Sequence, residues 1–280
     1  MKRIKFAKYH ALGNDFIIVD SLIWKFGIKN NEDFARKICS RNFGVGADGI
    51  LVLTGSKKAI CRVDVYNSDG GWAEKSGNGL RIVAAYLYTN YGRKKKFEIE
   101  TTGGVSSAEM IKAGGGSFSI RVSLGTPVFE TEKIPMKGGG EYHINCPIKV
   151  GSKRLKVTAL SVGNPHAVMF VENFDFDWQG LGKAIEHSPY FPRRTNVEFA
   201  QVKSRSRVVL NDWERGAGAT GSSGTGAAAT VVAGVVNGIM DRKAEVIFPS
   251  GSLRIEWSQG EDRVYLIGPV NFICAGEYEY

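Results

Sequence analysis

The sequence predicts an α+β protein of two pseudo-symmetric domains, each a curled, mostly antiparallel sheet around one central helix. A serine followed by Gly-x-Gly occurs at Ser76 and again at Ser223, and each copy opens a run of small and apolar residues at helical spacing. A Gly-Asn pair recurs at nearly the same offset of about 150 residues, with Asn14 and Asn164. A polar side chain followed by a Gly-containing turn precedes both serines. Together these repeats favour an internal duplication.

Composition agrees with two folded domains. The chain has 280 residues, of which 43% are hydrophobic and 23% charged, which is typical of globular proteins. The net charge of +9 makes nucleic acid a partner to consider. The basic residues form short, scattered groups without an aromatic strand, a zinc spacing or a basic helix beside them. Solvated faces are therefore expected instead of a nucleic-acid surface.

The cysteines and the apolar runs point to the cytoplasm. The four cysteines are far apart and form no Cys-x-x-Cys pair, so neither a disulfide framework nor a zinc site is expected. Polar residues interrupt the N-terminal apolar stretch before it reaches the length of a secretion signal. The longest small-apolar run, 227–240, is too short to cross a bilayer and is expected to be a core helix.

The first half alternates short strands with two helices. Asn31, before two acidic residues, predicts the cap of a helix ending near Ser40. The glycine-rich loop 44–49 resembles a phosphate loop, but it lacks the Gly-Lys-Ser/Thr ending and precedes a strand, so a nucleotide is rejected. The strand over 60–66 delivers Asn67 at its end, a typical position for a functional side chain. The remaining strands are predicted at 3–9, 16–19, 50–53, 97–101, 107–112 and 117–123.

The second half restates this plan after a boundary near Pro127. A helix over 178–187 is predicted behind an Asp177 cap, and the second central helix follows Ser223. Strands are predicted at 141–149, 155–161, 166–172, 196–202, 206–213, 244–249, 252–258, 263–267 and 270–275.

Each Gly-x-Gly turn presents a helix N-terminus, where free N–H groups and a partial positive charge favour an anion. Taken singly, such a turn is more often a packing feature, but the duplication and the polar residues beside it favour a site. A lone His166 is more often structural unless an acidic or nucleophilic group lies beside it. Glu214 and Arg215 are adjacent, and they fit either a surface ion pair or recognition of a zwitterion.

The sequence resembles the diaminopimelate epimerases, a family of cofactor-independent amino-acid epimerases and racemases. The matching motifs span nearly the whole chain in order, at 9–16, 41–49, 67–70, 77–79, 163–166, 195–197, 214–218 and 224–226. The resemblance implies an N-terminal domain of residues 1–126 with a returning strand at 269–280, and a C-terminal domain of residues 127–268. It also implies one amino-acid substrate in the cleft between them.

The resemblance further implies a role for each matched residue. His166 and Glu214 would flank the substrate amine, with the serine positions as the catalytic pair. Substrate amino and carboxylate groups would be read by Asn14, Asn67, Asn164, Asn196 and Arg215. The reacting carboxylate would be held by the backbone at Gly77, Asn78, Gly224 and Thr225. A cytoplasmic isomerase of lysine biosynthesis is expected. We expect no metal, pyridoxal phosphate or nucleotide, and no nucleic acid or membrane as partner. A homodimer is the assembly to consider.

One departure lies at the centre of this likeness. The family has cysteines where this chain has Ser76 and Ser223, and these cysteines remove and return the α-proton from opposite faces. A serine hydroxyl needs a partner base before it can take a proton at neutral pH, so two-base epimerisation is expected to be impaired. Further departures from the family pattern are Ala219, Gly221, Ser222, Ile82 and Ala228.

Three explanations remain open at this point. The chain is an epimerase whose two cysteines were changed by design, or a natural relative that uses His166, Glu214 or Glu74 as a single base for another proton shift, or a binding protein that lost the reaction. The further departures favour a natural divergent member over a designed change. An amino-acid epimerase nevertheless stays the leading interpretation, because the substrate-reading residues match the family almost throughout.

Overall fold

A computed structural model of the chain describes residues 2–24, 30–73, 76–138 and 140–280. The chain divides into two compact units. Unit 1 comprises the residues up to Ser123 together with Ile267–Tyr280, and unit 2 comprises Leu124–Leu266. The described helices are α1 (Asn31–Cys39), α2 (Gly77–Asn90), α3 (Trp178–Glu186) and α4 (Gly224–Val236).

Strands make up most of the remaining structure. In chain order they are β1 (Arg3–Ala11), β2 (Asn14–Asp20), β3 (Gly49–Thr54), β4 (Cys61–Asn67), β5 (Trp72–Ala73), β6 (Lys96–Thr101), β7 (Gly104–Gly114), β8 (Ser117–Gly125), β9 (Cys146–Val150), β10 (Lys153–Ser161), β11 (Pro165–Phe170), β12 (Asn196–Ser204), β13 (Arg207–Glu214), β14 (Gly218–Ala219), β15 (Lys243–Phe248), β16 (Gly251–Trp257) and β17 (Val264–Glu279). The predicted α+β class is confirmed.

Strand pairing in unit 1 alternates in direction. β1 pairs antiparallel with β2, β2 parallel with β3, β3 antiparallel with β4, β4 parallel with β6, and β6 antiparallel with β7. The sheet continues through β8 to β17, which returns antiparallel to β1. Because the last strand pairs with the first, the sheet closes on itself and leaves no open edge at that point.

Unit 2 repeats the same order of pairings. β10 pairs antiparallel with β11, β11 parallel with β12, β12 antiparallel with β13, β13 parallel with β15, and β15 antiparallel with β16. The helices also fall at matching places: α3 follows β11 as α1 follows β2, and α4 follows β14 as α2 follows β5. The shared order and directions support the duplication inferred from the repeated motifs.

The central helices α2 and α4 are buried on all sides. Every residue of α2 from Leu80 to Leu87 is buried, and so is every residue of α4 from Gly226 to Gly234. A helix that is apolar all round belongs in a core, and the alanines of α4 let neighbouring strands approach closely. This burial holds the N-terminus of each central helix in place within its unit.

Of the two predicted helix caps, one differs from the sequence prediction and one agrees with it. Asn30, not Asn31, caps α1: its backbone is extended, and its Oδ1 accepts the Asp33 N–H at 3.0 Å, while the Asn31 side chain contacts the Tyr66 hydroxyl. The cap oxygen must reach the third helical N–H, which places it one residue earlier than predicted. The Asp177 cap of α3 is confirmed, with Oδ1 accepting the Gly180 N–H at 2.8 Å.

Two strand predictions are also wrong in extent. Strand β9 is shorter than predicted, because the chain before it makes only an isolated bridge between Glu130 and Tyr142. The two strands expected at 263–267 and 270–275 are one continuous strand, β17. Gly268 and Pro269 lie within it, since the fixed φ of proline is compatible with extended backbone and costs only one ladder N–H.

Candidate active site

Both serines singled out from the sequence cap a central helix. Ser76 precedes α2 with φ −129° and ψ 120°, and its Oγ accepts the Gly79 N–H at 3.0 Å. Ser223 precedes α4 with φ −121° and ψ 121°, and its Oγ accepts the Gly226 N–H at 3.1 Å. In each unit the serine side chain therefore accepts the N–H of the third helical residue, and the two serines have nearly the same backbone conformation.

The residues after each serine occupy the first two helical positions. These are Gly77 and Asn78 in α2, and Gly224 and Thr225 in α4. Backbone N–H groups at these positions have no acceptor within a helix and carry the positive end of its dipole. Each unit therefore presents one helix end that suits a carboxylate.

In unit 1, two predicted site residues are joined by a chain of hydrogen bonds. Asn78 Nδ2 donates to Asn14 Oδ1 at 3.0 Å, and Asn14 Nδ2 donates to Asp48 Oδ2 at 2.9 Å. At the other end, Arg81 Nη2 donates to Asn78 Oδ1. The turn before β2 thus lies directly against the first turn of α2.

The acceptor end of this chain is held by charged neighbours. Arg41 donates to Asp48 Oδ1 at 2.8 Å and to Asp15 Oδ1 at 3.1 Å, and Lys8 lies 2.9 Å from the second Asp15 oxygen. Burial acts to raise the pKa of Asp15, but the hydrogen bonds from Lys8 and Arg41 outweigh it and lower that pKa. Asp15 is therefore ionised at neutral pH, and the network keeps a fixed polarity.

Asn67 stands apart from this chain of amides. It ends β4 with its side chain exposed, and its backbone N–H donates to the Gly71 carbonyl at 2.7 Å. Among the described residues, the structure does not connect the Asn67 side chain to Asn14 or Asn78. Glu74, named above as a candidate base, lies outside the described residues.

Unit 2 carries a matching arrangement. Asn164 Nδ2 donates to the Thr225 hydroxyl at 3.3 Å, just as Asn14 contacts the second residue of α2. His166 Nε2 lies 2.8 Å from Asn164 Oδ1, and its Nδ1 lies 2.6 Å from Glu198 Oε1. The acidic neighbour that a catalytic role for His166 requires is therefore present.

Glu198 is buried beside the capped end of α4. A methyl group added at Gly226 would lie 3.0 Å from Glu198 Oε1 and 3.1 Å from Ser223 Oγ, so only glycine lets the carboxylate approach this closely. Burial raises the pKa of Glu198, and the neighbouring His166 opposes the rise. Its Oε2 has no hydrogen-bond partner among the described residues.

Two further carboxyl groups share one hydroxyl. The Thr220 hydroxyl lies 2.8 Å from Asp212 Oδ2 and also contacts Glu214 Oε1. A hydroxyl has one proton to donate, so both contacts are hydrogen bonds only if one carboxyl is protonated. Burial raises the pKa of Glu214 to about 7, and burial raises the pKa of Asp212 as well. Asp212 and Glu214 therefore hold one proton between them, and Glu214 can ionise near neutral pH.

Asn196 fixes the backbone of the neighbouring loop. Its Nδ2 donates to the Pro165 carbonyl at 2.8 Å, and its Oδ1 accepts the Arg215 N–H at 2.9 Å. The Arg215 side chain is exposed. The surface ion pair considered for Arg215 and Glu214 is not formed, although the structure describes both residues.

The four cysteines, Cys39, Cys61, Cys146 and Cys274, are free thiols, and none of them stands on α2 or α4. Burial raises the pKa of Cys39 and of Cys61 to about 12, so neither is a thiolate at neutral pH. Within the described ranges, no cluster of His, Cys, Asp or Glu has the makings of a metal site. No described helix combines the length and apolar character needed to span a membrane.

Sequence reasoning missed several residues that the structure brings to these helix ends. They are Arg81, Asp48, Glu198, Asp212 and Thr220. A signal existed for some of them: Arg81 interrupts an otherwise apolar helix, and Glu198 interrupts a buried strand, where charged residues are rare unless paired. Thr220 gave no such signal, because only the fold brings it to two carboxyl groups.

Comparison with known proteins finds relatives similar in sequence and a solved structure similar in fold. The family model for diaminopimelate epimerase matches residues 6–130 and 158–273. A diaminopimelate epimerase of Carboxydothermus hydrogenoformans is 42% identical over 278 residues, covering 98% of this chain and 99% of the relative. One from Pelotomaculum thermopropionicum is 43% identical over 277 residues, with 98% and 99% covered. A solved hydroxyproline epimerase from Agrobacterium vitis matches the fold with a TM-score of 0.69 at 13% identity, covering 99% of this chain and 91% of that one.

Proposed function

Because the chain belongs to the diaminopimelate epimerase family, we propose that it is a cofactor-independent isomerase whose substrate is diaminopimelate or a similar amino acid with a second polar end. The observation that carries this proposal is the repeated helix end. In each unit a serine caps a buried helix, and an asparagine from a Gly-Asn turn contacts the second helical residue. We further propose that the two ends act on one substrate.

Each helix end is suited to a substrate carboxylate. Free N–H groups at Gly77, Asn78, Gly224 and Thr225 would donate to its oxygens, and the helix dipoles would favour its charge. The negative charge that develops when the α-proton leaves spreads into the same carboxylate. Donors already aimed at that group therefore stabilise the transition state more than the ground state.

The acidic groups of unit 2 suit the substrate ammonium group. His166 is held by Glu198 and Asn164, and Glu214 lies beside Asp212 and Thr220. An ionised Glu214 would attract the ammonium group, and Arg215, with Asn67, Asn164 and Asn196, would assist recognition of the remaining polar groups. This assignment rests on the family pattern and on the charges present in unit 2.

In a two-base reaction, one residue takes the α-proton and leaves its electron pair on the α-carbon. A second residue returns a proton from the opposite face, which inverts the centre. Ser76 and Ser223 occupy the two catalytic positions, but each hydroxyl oxygen already accepts a backbone N–H, and neither hydroxyl is basic at neutral pH. We therefore propose that this chain binds substrate and exchanges its α-proton slowly.

One observation favours a second candidate function. Glu214 has its pKa raised to about 7 and is half-buried, which is suitable for a general base near neutral pH. A proton shift with Glu214 as the single base, or with His166 or Glu74, would remove and return a proton on one face. It would give isomerisation or solvent exchange without inversion.

Calorimetric titration tests the substrate class. The unmodified protein is titrated with the diaminopimelate stereoisomers, with lysine, which lacks the second carboxylate, and with ATP. Saturable heat with diaminopimelate and weaker binding of lysine support the proposal. Tight binding of ATP with no heat from any diaminopimelate isomer would overturn it. A cytoplasmic location and a homodimer are part of the same proposal, and light scattering on the purified chain measures the assembly.

A further inference from the structure

Arg81 is a buried cation inside an apolar helix. It lies in the second turn of α2, its side chain is fully buried, and its only hydrogen bond among the described residues is the one from Nη2 to Asn78 Oδ1. No described carboxylate pairs with it. Burying an unpaired cation is costly, and burial lowers the pKa of Arg81 to about 9. Packing alone does not explain such a residue, because methionine would fill similar space without the charge.

The neighbours of Arg81 form a chain with a forced direction. Arg81 has donors only, so the amide group that faces it must present its oxygen. At the far end, Asp48 accepts at both of its oxygens, from Asn14 Nδ2, the Asp15 N–H and Arg41. Between these ends, Asn78 and Asn14 must both run from donor to acceptor in the same sense.

The forced direction of the hydrogen bonds determines which groups of Asn14 and Asn78 stay free for a ligand. Each amide oxygen is used as an acceptor: Asn78 Oδ1 by Arg81, and Asn14 Oδ1 by Asn78. Each Nδ2 uses one of its two hydrogens within the chain and keeps the other. Asn14 and Asn78 therefore each keep one N–H for a ligand at the end of α2, while each carbonyl oxygen already faces a donor within the chain of hydrogen bonds.

We propose that Arg81 is a positioning residue that fixes the orientation of the Asn78 amide, as Asp48 fixes that of Asn14, so that both amides present N–H groups to a substrate carboxylate. The proposal rests on the proposed function for the identity of the ligand. Arg81 acts through Asn78, because its own side chain is fully buried and no ligand reaches it.

Unit 2 provides an internal contrast. The residue five places after Ser223 is Ala228, as Arg81 is five places after Ser76, and Thr225 stands where unit 1 has Asn78. A hydroxyl rotates to suit its partners, whereas an amide has two distinct ends that must be chosen. The arginine is therefore found in the unit that has an amide to orient.

The test compares Arg81→Lys with Arg81→Met by calorimetric titration with diaminopimelate, using Arg205→Met as a matched control at an exposed arginine of unit 2. Lysine retains a donor-only group, so R81K is expected to bind within about threefold of the unmodified chain. R81M keeps the volume but lets Asn78 turn, so its dissociation constant is expected to rise about tenfold or more. R205M should leave binding unchanged. Equal binding by R81M and R81K would overturn the proposal.

A double substitution separates orientation from packing. In an Asn78→Thr background, position 78 carries a self-orienting hydroxyl as in unit 2, so adding Arg81→Met should change binding by less than about twofold. The same large loss in both backgrounds would mean that Arg81 supports structure only, and would refute the proposal. If R81M does not fold, R81K and Arg81→Gln carry the comparison, because glutamine presents an acceptor as well as donors.

The titrations also separate failure of the proposed function from failure of the role proposed for Arg81. If the unmodified chain binds no diaminopimelate isomer, the proposed substrate is wrong, and the positioning role is then tested without ligand. Nitrogen-15 NMR measures solvent exchange of the Asn78 Nδ2 protons, and the Asn14 Nδ2 protons, which Asp48 holds, serve as the internal reference. Slow exchange in the unmodified chain and in R81K, with fast exchange in R81M, supports the role of Arg81. The same exchange rates in all three proteins would overturn it.

Discussion

Replacing the capping serines by alanine should destabilise the protein by different amounts in the two units. Each serine oxygen accepts the N–H of the third helical residue, at 3.0 Å for Ser76 and 3.1 Å for Ser223. Loss of an N-cap side chain typically costs about 1 kcal/mol. Ser223 is buried, so water cannot replace it at the Gly226 N–H, and an unsatisfied buried donor adds about 1 kcal/mol or more.

The expected losses are therefore about 2 kcal/mol for Ser223→Ala and about 1 kcal/mol for the half-buried Ser76→Ala. Urea unfolding measures the free energy of unfolding, and amide hydrogen exchange at Gly79 and Gly226 reports each cap locally. Ser152→Ala, in an exposed turn, is the control and should change stability by less than about 0.5 kcal/mol. If S223A is as stable as S152A, the capping argument is wrong.

Three further predictions follow from buried groups. The pKa of Glu214 is raised to about 7 in the folded protein from an ordinary value of 4.5, so between these pH values the folded protein holds a proton that the unfolded chain has lost, and stability should fall as pH rises through this window. Urea unfolding of Glu214→Gln should lack this fall in stability, and identical pH profiles for the two proteins would contradict the assignment. Replacing His166 by alanine leaves Glu198 buried without its partner and should cost about 3–5 kcal/mol in urea unfolding, whereas a loss below about 1 kcal/mol would argue against the pair. Cys274 should react with a thiol reagent in the folded protein while Cys39 and Cys61 react only after unfolding; mass spectrometry locates the labels, and rapid labelling of Cys61 would refute its burial.

The sequence predicted what local patterns control. Repeated turns, apolar runs and glycine spacing identified both central helices and the α+β class, because burial of a helix on all sides leaves a clear apolar signature. The Asp177 cap was predicted from the same local logic. Asn30 and Asn31 were not separable, because two adjacent asparagines have equal capping preference and only backbone geometry selects one.

What the sequence did not show depends on contacts between distant residues. Arg81 stands in an apolar run, and its link to Asn78, Asn14 and Asp48 exists only once β2 lies beside α2. Thr220 joins two carboxyl groups through the pairing of β13 with β14. The substrate roles of the asparagines, and the relation between the serines, stay predictions.

The most direct test of the central claim is proton NMR of the α-position of diaminopimelate in deuterium oxide. The unmodified chain should exchange this proton very slowly or not at all while substrate still binds. Ser76→Cys/Ser223→Cys should restore exchange with inversion, since each positioned acid–base group is worth about 10² to 10⁴ in rate. Each single substitution should give at most exchange on one face. Rapid epimerisation by the unmodified chain would contradict the account of the two serines.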